Sequence, residues 1–200
     1  MKLLKKIPEA AMVAAFLKAE FSSPRFSDDL RKAMQPFSVE EAVITHPDIT
    51  DMHENELRAQ VLGAHRGYQQ DREMFDGVPS NLTWHEAELA RQEIGNLRYV
   101  DYSYWDALTD NTRLVKDGVK SIQQGKIVFA VSHDRFWAVT ERILHGERDF
   151  EPIILWGQDG DSPLEILEGH LRATAFGLAG DKTPATINVI VGLLNTSGSS

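Results

Sequence analysis

Leu164-Glu165-Ile166-Leu167-Glu168-Gly169-His170-Leu171-Arg172-Ala173-Thr174-Ala175-Phe176-Gly177-Leu178-Ala179-Gly180 is the stretch on which the fold turns. Leu164, Ile166 and Leu167 supply the apolar residues of a strand. Gly169 lacks a Cβ and permits a sharp turn or a close backbone approach. The residues from Ala173 to Ala179 favour a helix, and Gly180 is a C-terminal stop. Glu168, His170, Arg172 and Thr174 therefore crowd the start of a helix, where free N–H groups and the positive end of the dipole suit an anion. Arg172, one turn in, adds a planar donor for phosphate oxygens. The same residues admit a purely structural reading, in which Arg172 pairs with Glu168 and His170 caps or packs.

A length of 200 residues fits one domain, or one domain with a helical extension, and can bury a sizeable core. The net charge of -9 argues against non-specific attraction to nucleic acid or an anionic membrane, but leaves room for a local basic pocket. With no cysteine, disulfides, zinc–thiolate sites, iron–sulfur clusters and thiol mechanisms are excluded within this chain. Met1 to Pro8 looks briefly like a signal peptide. Glu9, Lys18 and Glu20 interrupt the apolar run, so Ala10 to Leu17 is read as part of a soluble amphipathic helix. No segment approaches the length of a membrane span, and a cytoplasmic location is expected. Residues 196–200, ending Ser-Gly-Ser-Ser, read as a flexible tail.

Outward from the deciding stretch, residues 1–98 read as a helical region and 99–195 as an α/β domain. Ser27 opens one helix, Ser38 and Glu41 form a capping box, and Pro36 breaks the chain between them. Asn55 to Met74 has helical apolar spacing, and Thr83 with Glu86 opens a further helix to Leu97. Tyr99 to Trp105 alternates as a strand or extended segment, Thr109 to Arg113 is a polar loop, and Leu114 to Gln124 is a helix closed by Gly125. Lys126 to Ser132 reads as a strand, Asp134 to His145 as a helix and Pro152 to Trp156 as a buried strand. Residues 158–161 form a hairpin turn, and Thr186 to Val191 is the last strand. Trp84 and Trp105 read as packing anchors. The expected fold class is α+β: a small mixed sheet with helices, plus a helical N-terminal half.

From Tyr99 to Leu194 this order resembles the ParB/sulfiredoxin-like superfamily. Asn111-Thr112-Arg113, followed by a helix ending Ser121-Ile122-Gln123-Gln124-Gly125, is similar to the opening of ParB-like domains. Pro152 to Leu155, a turn and Leu164 to Gly169 are similar to their central hairpin. Gly169-His170-Leu171-Arg172 matches their Gly-x-x-Arg turn, and Ile187 to Val191 is similar to the closing strand. The resemblance implies a ParB/sulfiredoxin-like nucleotide-binding fold, with ATP or a related nucleotide held by its phosphates at Gly169, His170 and Arg172. Thr174 lies beside them, Arg113 takes the place of a second family arginine, and Asn111 belongs to the same motif. Magnesium carried by the nucleotide is the one metal expected.

The departures narrow the function. Sulfiredoxin needs a cysteine where this chain has His170, so sulfinic acid reduction is excluded. With no helix-turn-helix region in these 200 residues and an acidic balance, partition-type DNA binding is not expected, and Gly125 to Pro152 carries an insertion. The acidic-Gly-His-x-Arg form resembles free-serine kinases of the superfamily, which need a carboxylate base. Glu168 and Asp134 are the candidates, each with a structural alternative as ion pair or helix cap. The first function class is an ATP-dependent phosphotransferase or ATPase acting on a small molecule. The second is a non-catalytic nucleotide-sensing or protein-interaction module that meets a partner through the helical half. A nucleic-acid factor ranks last because of the acidic balance. Arg58 and His65, two turns apart on one helix, read either as a roof over the nucleotide or as a solvated face. No histidine pairing has metal-ligand spacing.

Overall fold

The computed structural model describes residues 1–160 and 162–194. The tail at 196–200 and Asp161 of the expected hairpin turn lie outside the described residues. In chain order the elements begin with β1 (Lys2–Lys6), α1 (Glu9–Phe21), α2 (Ser27–Met34), α3 (Glu41–Thr45) and α4 (Met52–Arg66). β2 (Leu82–Ala90) leads through a 3-10 turn, Arg91–Asn96, to α5 (Ser103–Thr109), α6 (Val115–Gln123) and α7 (Asp134–Leu144). The chain closes with β3 (Ile153–Gly157), β4 (Glu165–Glu168), α8 (His170–Ala179) and β5 (Thr186–Leu194). This is an α+β fold. Two compact units divide it: Met1–Lys5 with His85–Leu193, and a second unit built on Lys6–Trp84.

The first unit carries a five-stranded sheet in the order β1-β2-β5-β3-β4. β3 runs antiparallel to β4 and parallel to β5, so α8 serves as the crossover that returns the chain to the β3 edge. Ile153, Ile154 and Leu155 are all fully buried, as a central strand covered on both faces requires. Burying each such side chain stabilises by about 1.5–3 kcal/mol. The outer edge of β4 is closed by the segment at Arg98, whose N–H donates to Leu164 O (2.9 Å) and whose O accepts from Ile166 N–H (2.8 Å). α8 sinks Ala173, Ala175, Phe176 and Ala179 into the core. Its Gly177 faces α6 so closely that a Cβ there would lie 2.6 Å from Val119 Cγ2.

The second unit packs α1 against α2, α3 and α4. α1 buries residues around most of its circumference, Glu20 included, so it is an interior helix rather than the amphipathic one expected. α4 starts from Asp51, whose carboxylate accepts from Glu54 N–H at 3.0 Å, and ends at Gly67 in the left-handed region (φ 77°). It is therefore shorter than the expected 55–74. Pro36 breaks the chain as expected, but neither serine caps a helix. Ser27 already lies inside α2 after Phe26, and Ser38 closes a 3-10 turn in the left-handed region.

Three further expectations fail, for one reason. Residues 83–97 are not a helix but β2 and a 3-10 turn. The alternation of buried Ala87 and Leu89 with Glu86 and Glu88 fits the sheet, and it moves the unit boundary from near 98 to 84/85. Tyr99 to Trp105 is extended only at its start, because Trp105 enters α5 and stacks on Tyr99. Lys126 to Ser132 has strand composition but no sheet partner. It folds into a tight turn with a single Val128–Val131 bridge. In each segment long-range pairing, not local pattern, selects the state. The segment read as signal-like at the start is the edge strand β1. Among the described residues no helix is long and apolar enough to cross a membrane.

Candidate functional site

Gly169 joins β4 to α8 with φ 98° and ψ 20°, a conformation that favours glycine. A Cβ at this position would sit 3.2 Å from Ile153 Cα and 3.1 Å from Arg172 Nη2. The missing side chain thus leaves a cradle beneath the Arg172 guanidinium. Ala173 N–H closes the first turn on Gly169 O (2.8 Å), leaving the N–H groups of residues 170–172 at the open end of α8.

Arg172 and Glu168 meet across this turn as an i,i+4 pair, through Nη2 and Oε2. Their side chains are only 16% and 13% exposed. The same Nη2 donates to Pro152 O at 3.2 Å. Among the described residues the Arg172 bonds run through Nη2, and the buried Nε has no partner. The ion-pair alternative for Arg172 is thus realised, but with donor capacity left over.

His170 is held by ring contacts and by Val100 N–H, which donates to Nε2 at 3.4 Å. The imidazole lies parallel to Trp105 (5.5 Å between centroids) and Tyr99 (6.1 Å), while Tyr99 stacks on Trp105 at 3.9 Å. Trp105 and Trp84 are both buried, as packing anchors should be. Thr174 is fully buried and faces the core. Its hydroxyl donates to His170 O (2.7 Å), so the Tyr99 hydroxyl must be the donor in the 2.7 Å bond to Thr174 Oγ1. Burial pushes the Tyr99 phenol well above its ordinary range and keeps that proton in place.

Arg113 lies in the loop after α5, in the left-handed region with Asp110 and Asn111. Its Nη1 is 3.5 Å from Asp101 and 3.6 Å from Glu165. Tyr99 N–H donates to Arg113 O (2.7 Å), and the next residue, Val100, meets His170, so one extended segment borders both Arg113 and His170. Burial raises the Glu165 carboxyl above its usual range, against the opposing pull of Arg113. Asn111 is an exposed turn residue whose N–H donates to Asp106 O (2.8 Å). Asp134 opens α7 in the open, with its N–H on Ser132 Oγ (3.1 Å). Its carboxylate has no ion pair among the described residues, and no bond joins it to Glu168 or Arg172. Beside it, burial lowers His133, whose Nε2 is buried without a partner.

In the second unit Arg58 is 0% exposed. Nη1 bonds Val43 O (2.9 Å) and Glu54 (3.0 Å), and Nη2 bonds Asp48 O (2.7 Å) and Asn55 (2.6 Å). His65 and Arg66 together hold the buried Glu20 carboxylate. The solvated-face reading of Arg58 and His65 is therefore wrong. Both close buried networks inside their own unit.

Glu168, Gly169, His170 and Arg172 are thus brought to one turn, with Arg113 on the neighbouring segment. Thr174 points to the core, and Asn111 and Asp134 stand apart. Sequence reasoning missed Asp101 and Glu165. Glu165 carries only the signal of a polar residue in an apolar strand, and Asp101 carries none. Among the described residues no three histidine, aspartate or glutamate side chains gather to hold a metal. The chain matches no family model, and no curated protein and no solved structure is similar to it.

Proposed function

We propose that the first unit binds a nucleotide by its phosphates at the start of α8 and transfers a phosphoryl group to a small hydroxyl substrate. The observation that carries the reading is the Glu168–Gly169–Arg172 turn. A left-handed glycine leaves a place that a Cβ would fill, beside a guanidinium whose bonds among the described residues run through one nitrogen. The likeness of Gly169-His170-Leu171-Arg172 to the Gly-x-x-Arg turn of the ParB/sulfiredoxin-like superfamily supports it. The open N–H end of α8 and the Arg172 guanidinium beside it would suit a phosphate. Bound magnesium–nucleotide supplies the phosphoryl group and the metal charge.

The chain's own residues have separable roles. The α8 N–H groups and Arg172 hold phosphate oxygens by charge-assisted bonds that strengthen as charge develops. As Arg172 turns to phosphate, the Glu168 carboxylate exchanges the guanidinium for the substrate hydroxyl and accepts its proton. Arg113 adds positive charge on the neighbouring segment and is oriented by Asp101 and Glu165. A nucleotide-sensing module without chemistry is the second reading, favoured by the closed Glu168–Arg172 pair.

Thermal shift with ATP, ADP and CTP, with and without magnesium, tests the binding. A nucleotide at a hundred times its dissociation constant should stabilise by about 2.7 kcal/mol. No shift with any nucleotide would overturn both readings. Binding without ADP release in the presence of small hydroxyl acceptors, for wild type and Glu168→Gln alike, would leave the sensing module.

A further inference from the structure

At the other end of α8 lies a cavity of about 330 Å³, between the 3-10 turn, the start of α6 and the α8 C-terminus. That volume is at the small end of those taken by small-molecule sites. Ile94, Val119 and Phe176 line its apolar side. Arg91 and Asp181 form a polar wall, in which the Arg91 guanidinium is committed to Asp181 O and Thr183 O (2.5 and 3.1 Å) and pairs with the Asp181 carboxylate at 3.8 Å. Lys116, exposed at the second position of α6, lines the same cavity and has no ion pair or hydrogen bond among the described residues. Its stem is fixed against the backbone, since a Cβ on Gly95 would lie 3.2 Å from Lys116 Cβ. Gly180 opens the rim, where a Cβ would meet nothing within 4 Å. A committed arginine, an uncommitted lysine and an apolar wall thus meet at one cavity in a chain of net charge -9.

We propose that this cavity binds a small carboxylate with a short apolar body: the carboxylate sits on Lys116, and the body lies on Ile94, Val119 and Phe176. The site does not depend on the nucleotide reading. α8 rises about 1.5 Å per residue, so its ten residues place the cavity about 15 Å from the Gly169 turn.

The test is a titration of the 15N-labelled full chain with hexanoate, followed by amide shifts, with hexanamide as the uncharged control. Hexanoate should give saturable shifts at Gly95, Lys116, Gly177 and Gly180, and leave Gly169 and His170 unmoved. Lys116→Ala should weaken it about ten- to a hundredfold, the range lost with a hydrogen bond to a charged group. Lys116→Gln keeps the stem without the charge and should lose most of the affinity too. Arg172→Ala should bind hexanoate as wild type does, which separates this site from the nucleotide site. Absence of saturable shifts, equal binding of hexanamide, undiminished binding by both Lys116 variants, or shifts centred on Gly169 would each overturn the proposal.

Discussion

Two arginines in this molecule, Arg58 buried and Arg172 partly buried, show opposite uses of the same side chain. In the second unit Arg58 has no exposure, and both terminal nitrogens are engaged, with two carbonyls and two side chains, while its Nε, like that of Arg172, has no partner among the described residues. In the first unit Arg172 rests on Glu168 and Pro152 O through a single nitrogen, above a glycine cradle. A guanidinium with its acceptors in place fixes an architecture. One held by a single edge at a helix start keeps donors for something else. Glu20, His65 and Arg66 repeat the first pattern, a buried carboxylate enclosed by its own unit.

The sharpest break of this contrast is Arg58→Ala. It leaves four acceptors without their donor and should cost about 3–5 kcal/mol, measured by urea unfolding. A loss under about 1 kcal/mol would mean that the network does not organise the second unit. Next comes Arg172→Ala, which should weaken nucleotide binding about ten- to a hundredfold in calorimetric titration while the chain stays folded. Lysine should restore only part, because an ammonium lacks the planar pair of donors. Were Arg172 another Arg58, alanine would unfold the chain. Were it a surface ion pair, affinity would not move and stability would change by about 0–1 kcal/mol.

Gly169→Ala probes the cradle itself. The φ of 98° and the contact with Ile153 should make it destabilising by about 1–3 kcal/mol, with loss of nucleotide binding. A fully stable variant that binds nucleotide would show that the cradle is not used. The smallest effect concerns His133, whose proton affinity burial lowers. The unfolded chain then binds the proton at higher pH than the folded one. This part of the stability is present above the ordinary histidine range and is lost as pH falls through that range toward the lowered folded value. Urea midpoints of His133→Gln should be flatter than wild type across this window. An unchanged slope would place the pH sensitivity elsewhere.

How much was legible depended on whether a residue's partners lay nearby in sequence. Glu168 and Arg172 sit four apart across a glycine turn, so their pairing could be read as an alternative, although which nitrogen they share could not. The buried strand at 153–157 and the crossover helix announced themselves by continuous apolar runs and by Gly169. Tyr99 and Trp105 could be placed in the core, but not their stack with His170, because no local spacing encodes a contact across about seventy residues. Glu165 looked like an ordinary polar strand residue until Arg113 was seen beside it.

By itself the sequence determined the α+β class, the β4–Gly169–α8 turn, and the helices at 115–123 and 134–144, because each rests on periodicity, glycine freedom or neighbours within one helical turn. Only the tertiary structure decided that 82–90 is a strand while 126–132 is not. A strand is stable only with a neighbour to take its N–H and C=O groups, and composition cannot name that neighbour. The tertiary structure alone also decided that Arg58 is enclosed and Arg172 half open, since both read as polar residues on helices until packing set how many acceptors each could reach.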